Sequence, residues 1–409
     1  MLDRRTFMLI IIIGVVAGIV GILFTNLMHF MQHITYSYTE ADQFTFGMGV
    51  VNASPDRRLY ALLICGTVAG LGWVAIHRYG SPLVDIKDAI KDTTKKMPPM
   101  TTILHATLQI LTVGMGSPLG REVAPREASS AITTYLLKYV EVPKENQALL
   151  IACAAGAGLA AVYNSPLSAA IFVLETLLVT WNKNALIAAL LCCSIGAWIS
   201  RLGLGDVVQY SISQPPLIGN FPEFSLVLGV VVAIAVVLFD ITQSKIPKLD
   251  RKSPWMILVA IVAFGIVGFM SMKFPSILGN GKAGNQLTFT DLVTWQYAME
   301  LFSAKWIAVL LALLAGAYGG RITPSMMLGS TLGLGLATVW SIFVMPVSLG
   351  VAAFLGAVIF LGLAQKMPLT SAIFMLELSR FSVELLFPIA LGMGIALFTQ
   401  TLVKGEFNL

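Results

Sequence analysis

The amino-acid sequence predicts an all-α integral membrane protein built from two inverted repeats, whose helices are tilted, broken and in places re-entrant. Three observations predict this fold: the composition, the unequal lengths of the apolar runs, and the return of the same motifs in the second half of the chain. Of the 409 residues, 57% are hydrophobic and 11% are charged, whereas soluble domains average about 45–50% apolar and about 25% charged residues. We therefore expect a multi-pass membrane protein rather than a soluble domain.

More than ten apolar runs follow one another along the chain, and their lengths are unequal. Several approach the roughly 20 residues that cross a bilayer as a helix, while others are clearly shorter. Short apolar segments are tolerated at membrane depth only where they line protein or a watery cavity, as the broken helices of transporters do. The run at 6–30 lacks a cleavage site of the Ala-x-Ala kind and is interpreted as the first retained helix. The other principal runs lie at 59–76, 149–162, 185–199, 224–241, 255–272, 306–318, 349–363 and 385–402.

The distribution of Lys and Arg predicts which loops face the cytoplasm. Basic residues concentrate in a few connections between apolar runs, and the positive-inside rule places these connections in the cytoplasm. The net charge of +5 arises from such loop residues, so no nucleic-acid partner is expected. The basic connections are Arg4 with Arg5, 87–96, Lys183 and 245–252.

One long polar stretch, 205–222, contains neither Lys nor Arg, so we expect it on the external side. It lies near the middle of the sequence and connects the two predicted halves. We therefore divide the chain into a first transmembrane half at 1–204, an external connection at 205–222, and a second, inverted transmembrane half at 223–409.

The cysteines and histidines do not show the spacing of a metal site or of a disulfide framework. All four cysteines fall inside apolar runs, so we interpret them as packing residues. His29 and His33 lie four residues apart and would share a helix face, but no carboxylate or thiol completes a ligand set. We expect no metal site and no cofactor.

The strongest functional signal is a polar decapeptide at 116–125, GSPLGREVAP, between long apolar runs. Gly120 allows a sharp turn, and we predict a helix at 128–137 just after it. A loop that leads into a helix start presents unpaired N–H groups, and such a helix end binds anions. Glu122 can supply its carboxylate as that anion while ionised and leave when protonated, which is the physical basis of a proton-controlled gate. The alternative is an ordinary surface loop, but a charged residue deep in an apolar chain favours function.

Three landmarks of the first half return in the same order in the second half, at offsets of 199, 199 and 202 residues. This predicts a duplicated transporter with its site where the repeats meet. The loops at Gly120 and Gly320 should approach one buried site, with the N–H groups of Ile322 and Thr323 near the ion. The alternative is that the glycines serve only helix packing. The matching segments are 80–82 and 279–281, 120–125 and 320–324, and 166–175 and 368–377.

Together these residues resemble the CLC family of anion channels and proton-coupled anion antiporters. The resemblance is carried by GREVAP at 120–125, GAYGGRITP at 316–324 and two Pro-Leu-(Ser/Thr)…Leu-Glu segments, and it covers nearly the whole chain. It implies a CLC-type inverted-repeat fold, a homodimer in membrane lipid with one pore per subunit, and Glu122 as gating residue and proton acceptor. The implied anion-binding residues are Gly80, Ser81, Gly120, Arg121, Val123, Gly320, Ile322 and Thr323.

Several positions depart from the pattern of chloride-type members and resemble the bacterial fluoride/proton antiporter branch. Val123-Ala124-Pro125 follows Glu122 where Gly-Pro is usual, and Thr323 stands where an aromatic residue is usual. Thr176 occupies the position of an internal proton-transfer glutamate. The remaining departures are Pro82 after Ser81, where glycine is usual, and a C-terminus without the pore tyrosine, for which Phe407 and Asn408 are the nearest candidates.

We therefore predict a proton-coupled antiporter of a bacterial inner membrane that exports fluoride in exchange for protons. Fluoride gives up its water reluctantly and needs close, strong donors, and the Thr323 hydroxyl can be one, unless it bonds to its own helix. The alternatives within the family are a chloride/proton exchanger and a voltage-gated-type chloride channel.

The rival class, an intramembrane hydrolase, is disfavoured, so the chain is not predicted to be an enzyme. No Ser/His/Asp or His-Glu-x-x-His arrangement occurs in the sequence, and Glu122, Glu175 and Glu377 lack a partner base. We interpret Glu175 and Glu377 as hydrogen-bonded structural acids.

Overall fold

The computed structural model describes residues 3–39, 42, 45–212 and 221–406, and these residues form a helical protein. The candidates Phe407 and Asn408 lie outside the described residues. In the first half, the helices are α1 (Arg4–Tyr36), α2 (Phe46–Asn52), α3 (Pro55–Tyr79), α4 (Ile86–Lys91), α5 (Pro99–Gly114), α6 (Val123–Leu136), α7 (Lys144–Tyr163), α8 (Pro166–Phe172) and α9 (Lys183–Leu204). In the second half, they are α10 (Phe221–Ser244), α11 (Trp255–Lys273), α12 (Lys282–Phe289), α13 (Trp295–Leu314), α14 (Ile322–Phe343), α15 (Leu349–Ala364), α16 (Pro368–Ser379) and α17 (Leu386–Glu406).

Both long and short helices are present, as the apolar runs predict. Among the described residues, nine helices are long and apolar enough to cross a membrane. Three further apolar segments are shorter: Pro166–Leu177, Leu349–Ala364 and Pro368–Ser379. The all-α membrane fold with broken helices is therefore confirmed.

Small residues let the long helices pack closely. A Cβ atom on Gly66 or Gly70 of α3 would lie closer than 3.0 Å to the backbone of α11. The same holds for Gly329 of α14 and Gly356 of α15, where each glycine faces the backbone of the other helix. Since apolar side chains gain little by leaving lipid, such close backbone contact is a main source of helix association in membranes.

Glu175 and Glu377 cap helices reciprocally across the two halves. The Glu175 carboxylate accepts hydrogen bonds from the N–H groups of Leu369 (2.9 Å) and Thr370 (2.8 Å) at the start of α16. The Glu377 carboxylate accepts from Leu167 (2.9 Å) and Ser168 (2.7 Å) at the start of α8.

Such reciprocal contacts between equivalent segments are what a two-fold relation between the repeats produces. Both acids are therefore hydrogen-bonded structural groups, as interpreted from the sequence.

Helix α6 begins at Val123, five residues earlier than the predicted helix at 128–137. Proline lacks an N–H group and is tolerated in a helix only within the first turn. In the structure Pro125 is the third residue of α6, where an N–H group would have no partner within the helix. The helix therefore starts directly after Glu122, and this brings its N-terminal end to the centre of the protein.

Candidate functional site

The two glycine loops predicted to converge are hydrogen-bonded to each other. The N–H group of Gly120 donates to the carbonyl of Gly320 at 2.6 Å, and the N–H group of Gly320 donates to the carbonyl of Gly120 at 2.8 Å. This reciprocal pair is an isolated antiparallel bridge between the repeats. The loops therefore approach one buried place, as the sequence repeat predicts.

The Glu122 carboxylate fills the space beside this bridge and is fully buried. Its Oε1 accepts a hydrogen bond from the N–H group of Ile322 at 2.8 Å, and its Oε2 accepts one from the Tyr163 hydroxyl at 3.1 Å. A Cβ atom on Gly120 or on Gly320 would lie closer than 3.0 Å to the carboxylate oxygens. Only glycine leaves room here, so both loops shape a pocket of carboxylate size.

The carboxylate binds the helix start of the other repeat rather than that of its own, and this corrects one expectation. Glu122 precedes α6 but makes no side-chain cap with it, and the N–H group of Val123 is not among its partners. Ile322 is the first residue of α14, and its N–H group has no acceptor within the helix. The positive end of α14 therefore holds the negative charge.

Tyr163 was missed by the sequence reasoning, although its hydroxyl connects two predicted site residues. It lies 2.8 Å from the Thr323 hydroxyl as well as 3.1 Å from Glu122. Thr323 is buried and its hydroxyl bonds to Tyr163 rather than to its own helix. Thr323 is thus connected to the Glu122 carboxylate through the Tyr163 hydroxyl and not directly. Tyr163 carries no charge and belongs to none of the repeated motifs, so no sequence signal distinguished it.

One cavity, of about 640 Å3, lies beside Arg121 on one side of the site. Two cationic side chains, Arg121 and Lys282, line it together with His29 and His33, and among the described residues no Asp or Glu lines it. The Arg121 guanidinium donates to the carbonyl of Val162 at 3.0 Å. A cavity lined by one sign of charge concentrates ions of the opposite sign, here anions. We call it the outer cavity, because segment 205–211 lines part of it.

A second cavity, of about 420 Å3, contains the predicted residues Gly80 and Ser81. Ser81 is exposed to it, and its N–H group donates to the Thr101 hydroxyl at 3.1 Å. Arg251 and Lys252 from a predicted cytoplasmic connection also line it, so we call it the inner cavity. Burial lowers the pKa of Arg251 below its ordinary value, while Asp85 acts in the opposite direction.

The cavities approach Glu122 from opposite sides. Arg121 lines the outer cavity and Glu127 lines the inner one, whereas Glu122 lines neither. The repeat-related residues Ser81 and Asn280 likewise lie in different cavities, as inverted repeats require. Glu122 therefore lies between residues that line the two cavities and lines neither of them itself.

The structure brings some of the predicted site residues together and places others apart. Gly120, Glu122, Gly320 and Ile322 form the centre. Thr323 joins it through Tyr163. The others lie at the outer cavity (Arg121), at the inner cavity (Gly80 and Ser81) and at the start of α6 (Val123).

Two inverted halves that meet at a buried carboxylate, with a cavity on either side, define the class of this molecule: a multi-pass membrane protein with an ion pathway. The sequence pattern of the family described as voltage gated chloride channel matches residues 61–401. This match spans well over half of the chain. The protein therefore belongs to this family, the CLC family.

Similar proteins include bacterial members of the same family. The chain is 26% identical over 336 residues to the voltage-gated ClC-type chloride channel ClcB of Escherichia coli O17:K52:H18, and the match covers 78% of each sequence. It is also 26% identical over 336 residues to ClcB of Shigella boydii serotype 18, again with 78% of each sequence covered.

Solved structures with a similar fold include two antiporters. A slow cyanobacterial Cl-/H+ antiporter superimposes with a TM-score of 0.84 at 18% identity, and the match covers 99% of this chain and 96% of that one. A CLC-type fluoride/proton antiporter superimposes with a TM-score of 0.76 at 20% identity, with 97% and 95% covered. At these identities the likeness establishes the fold.

Proposed function

We propose that the chain is a proton-coupled anion antiporter of a bacterial inner membrane, with Glu122 as its protonatable gate. One observation carries this proposal: the Glu122 carboxylate occupies a pocket formed by Gly120, Gly320, the Ile322 N–H group and the Tyr163 hydroxyl. These are the donors that a transported anion needs. By the family resemblance, the working form is a homodimer in membrane lipid with one pathway per subunit.

The physical basis of coupling is that the pocket holds one negative charge at a time. While Glu122 is ionised, its charge-assisted hydrogen bonds hold it on the Ile322 N–H group and the Tyr163 hydroxyl. Protonation removes the charge and weakens both bonds, so the side chain can leave and an anion can take its donors. Deprotonation reverses the exchange. Movement of a proton on and off Glu122 is thereby tied to movement of an anion through the pocket.

Fluoride is the anion that the sequence departures favour. After Glu122 leaves, the pocket offers a hydroxyl and a helix N–H group, both hard donors that can replace the water of a small anion. The Thr323 hydroxyl forms a hydrogen bond with the Tyr163 hydroxyl and thereby helps to hold it in place. Chloride is the second candidate, because the similar E. coli and S. boydii proteins are named chloride channels.

Proteoliposomes loaded with fluoride or chloride test this function. The anion gradient is imposed outward, anion efflux is followed with an ion-selective electrode, and the external pH is recorded in parallel. We expect outward fluoride movement to drive protons inward against a proton gradient, and chloride to do so more weakly. Anion efflux without any proton movement would assign a channel instead. Stronger coupling with chloride than with fluoride would make chloride the preferred substrate and fluoride the second candidate.

The hydroxyl chain makes a prediction about selectivity. Thr323→Val keeps the β-branched shape but removes the hydroxyl that fixes Tyr163 at 2.8 Å. Loss of a hydrogen bond between two neutral hydroxyls costs about 0.5–1.5 kcal/mol. We therefore expect the preference for fluoride over chloride to fall about twofold to tenfold, measured as the ratio of initial efflux rates.

Tyr163→Phe is the matched variant for this test, because it removes the same hydrogen bond from its other end. It also removes the hydroxyl that faces Glu122, so its effect on the ratio should be at least as large as that of Thr323→Val. Unchanged fluoride/chloride ratios in both variants would exclude the hydroxyl chain as the source of selectivity.

A further inference from the structure

The inner cavity contains a buried pair of titratable residues that the gate itself does not use. His105 of α5 and Glu127 of α6 both line this cavity. Nδ1 of His105 lies 2.9 Å from Oε2 of Glu127, and the two side chains are only 2% and 16% exposed. The Gln109 side-chain nitrogen lies 3.0 Å from Nδ1 of His105 and donates to Oε2 of Glu127 at 2.8 Å. A carboxylate held by two donors fixes the imidazole ring in one orientation.

This arrangement leaves one nitrogen of His105 able to take a proton. Because an ionised carboxylate only accepts hydrogen bonds, we assign Nδ1 as the donor to Glu127, and the neutral ring then keeps a lone pair on Nε2. Within the described residues, Nε2 is buried and has no hydrogen-bond partner. Histidine is the residue type that exchanges a proton readily near neutral pH. The pair therefore has the chemistry of a proton relay.

The position of the pair also fits that role. Glu127 follows Glu122 by five residues along α6, which is a rise of about 7.5 Å along the helix axis. Two residues that follow α8, Thr176 and Glu175, do not suit the role of proton acceptor. Thr176 does not ionise and its hydroxyl donates to the carbonyl of Phe172. The Glu175 carboxylate is held by two N–H groups and the Thr370 hydroxyl.

We propose that His105 is the internal proton-accepting residue of the exchanger and that Glu127 is its positioning residue; this inference rests on the proposed function. One proton from the inner cavity reaches the buried Nε2 and forms the imidazolium, whose charge is balanced by the Glu127 carboxylate. The same proton then passes through water to the Glu122 carboxylate, and His105 returns to its neutral form. One proton moves per cycle in either direction.

Charged and titratable groups of both signs surround the pair. The acidic ones are Glu127 itself and Asp85 in the cavity wall. Tyr318 packs against His105 with the ring centres 4.3 Å apart, and its hydroxyl lies 3.0 Å from Nε2 of His77. The basic ones are Arg251 stacked on Tyr318, Arg126 of α6, and Arg78 with Lys252 at the cavity wall.

His105→Asn tests the relay in the reconstituted full-length protein. The asparagine amide can still donate to Glu127, but it cannot carry a proton. With fluoride and chloride gradients in turn, we expect the number of protons moved per anion to fall about tenfold or more, because general acid–base groups contribute at least that much to proton transfer. Wild-type coupling in this variant would overturn the inference while leaving the proposed function intact.

His77→Asn is the matched control, because it removes another histidine from the same cavity wall. It should keep the wild-type ratio of protons to anions, and an equal loss in both variants would overturn the specific role of His105. Should His105→Asn fail to fold, Glu127→Gln replaces it. Loss of the carboxylate that accepts from Nδ1 should lower the number of protons moved per anion about tenfold, and wild-type coupling in Glu127→Gln would contradict the proposal. If the wild-type protein moves no protons with either anion, the proposed function itself fails.

Discussion

Glu122→Gln is expected to abolish coupled proton movement while the protein stays folded. The glutamine amide keeps the shape of the carboxylate, and its oxygen can still accept from the Ile322 N–H group. Its amide nitrogen can donate to the Tyr163 hydroxyl, which then donates to Thr323. The neutral amide fits the pocket but holds these partners more weakly than the carboxylate does, so an anion can still displace it, while the side chain can no longer gain or lose a proton. We expect the protons moved per anion to fall by about a hundredfold or more, to the background of empty liposomes.

The measurement is fluoride-driven proton uptake together with anion efflux at several pH values. Since a neutral amide imitates the protonated gate, anion efflux should persist and lose its dependence on pH. Glu377→Gln is the matched control, because that carboxylate is also held by N–H groups but lies at the start of α8, away from the pocket. It should lower thermal stability and keep coupling. Fluoride-driven proton uptake at the wild-type level in Glu122→Gln would end the proposed mechanism.

The fold could be predicted because it follows from two features of the sequence, the lengths of the apolar runs and the repeated motifs. Apolar runs of unequal length predict both the crossing helices and the short ones, and the returning motifs predict that the halves are related. The start of α6 was predicted too late, because the sequence does not show whether Pro125 precedes the helix or lies in its first turn. Helix boundaries near proline depend on which N–H groups lack partners, and this is a property of the folded backbone.

The centre of the site could be predicted only in part. Gly120, Gly320 and Glu122 stand out because glycines that interrupt apolar runs, and an acid among them, are rare in such a chain. The hydrogen-bond partners of the Glu122 carboxylate were harder to predict from the sequence. Tyr163 comes from the end of α7 and the Ile322 N–H group from the other repeat, so only the packing of the halves brings them to Glu122. The His105–Glu127 pair joins two helices in the same way, and neither residue carries a repeated motif.

Gly320→Ala is expected to hold the gate open. A Cβ atom at this position would lie closer than 3.0 Å to the Glu122 carboxylate, and the backbone of Gly320 does not have the positive φ that would strain alanine. Two responses are available: the loops separate, or the carboxylate leaves. Separation breaks the Gly120–Gly320 pair at the centre of the fold, whereas departure breaks the carboxylate's bonds to Ile322 and Tyr163. These bonds are worth about 1.5–3 kcal/mol each.

The departing carboxylate also regains hydration in a cavity, which a separated backbone pair in a packed interior does not. We therefore expect the carboxylate to leave the pocket. Gly320→Ala should then conduct anions, and the number of protons moved per anion should fall about tenfold or more below the wild-type value, given the contribution of a proton-transfer group.

The double variant Glu122→Ala/Gly320→Ala separates this cause from general damage to the loop. Without the carboxylate the added methyl group meets nothing charged, so Gly320→Ala should change anion efflux little in the Glu122→Ala background, and the two substitutions should be strongly non-additive. Additive losses would mean that the methyl group disturbs the bridge between Gly120 and Gly320 rather than the gate. Wild-type coupling in Gly320→Ala alone would show that the carboxylate does not need this pocket for proton exchange, and the gate would have to be sought elsewhere along the pathway.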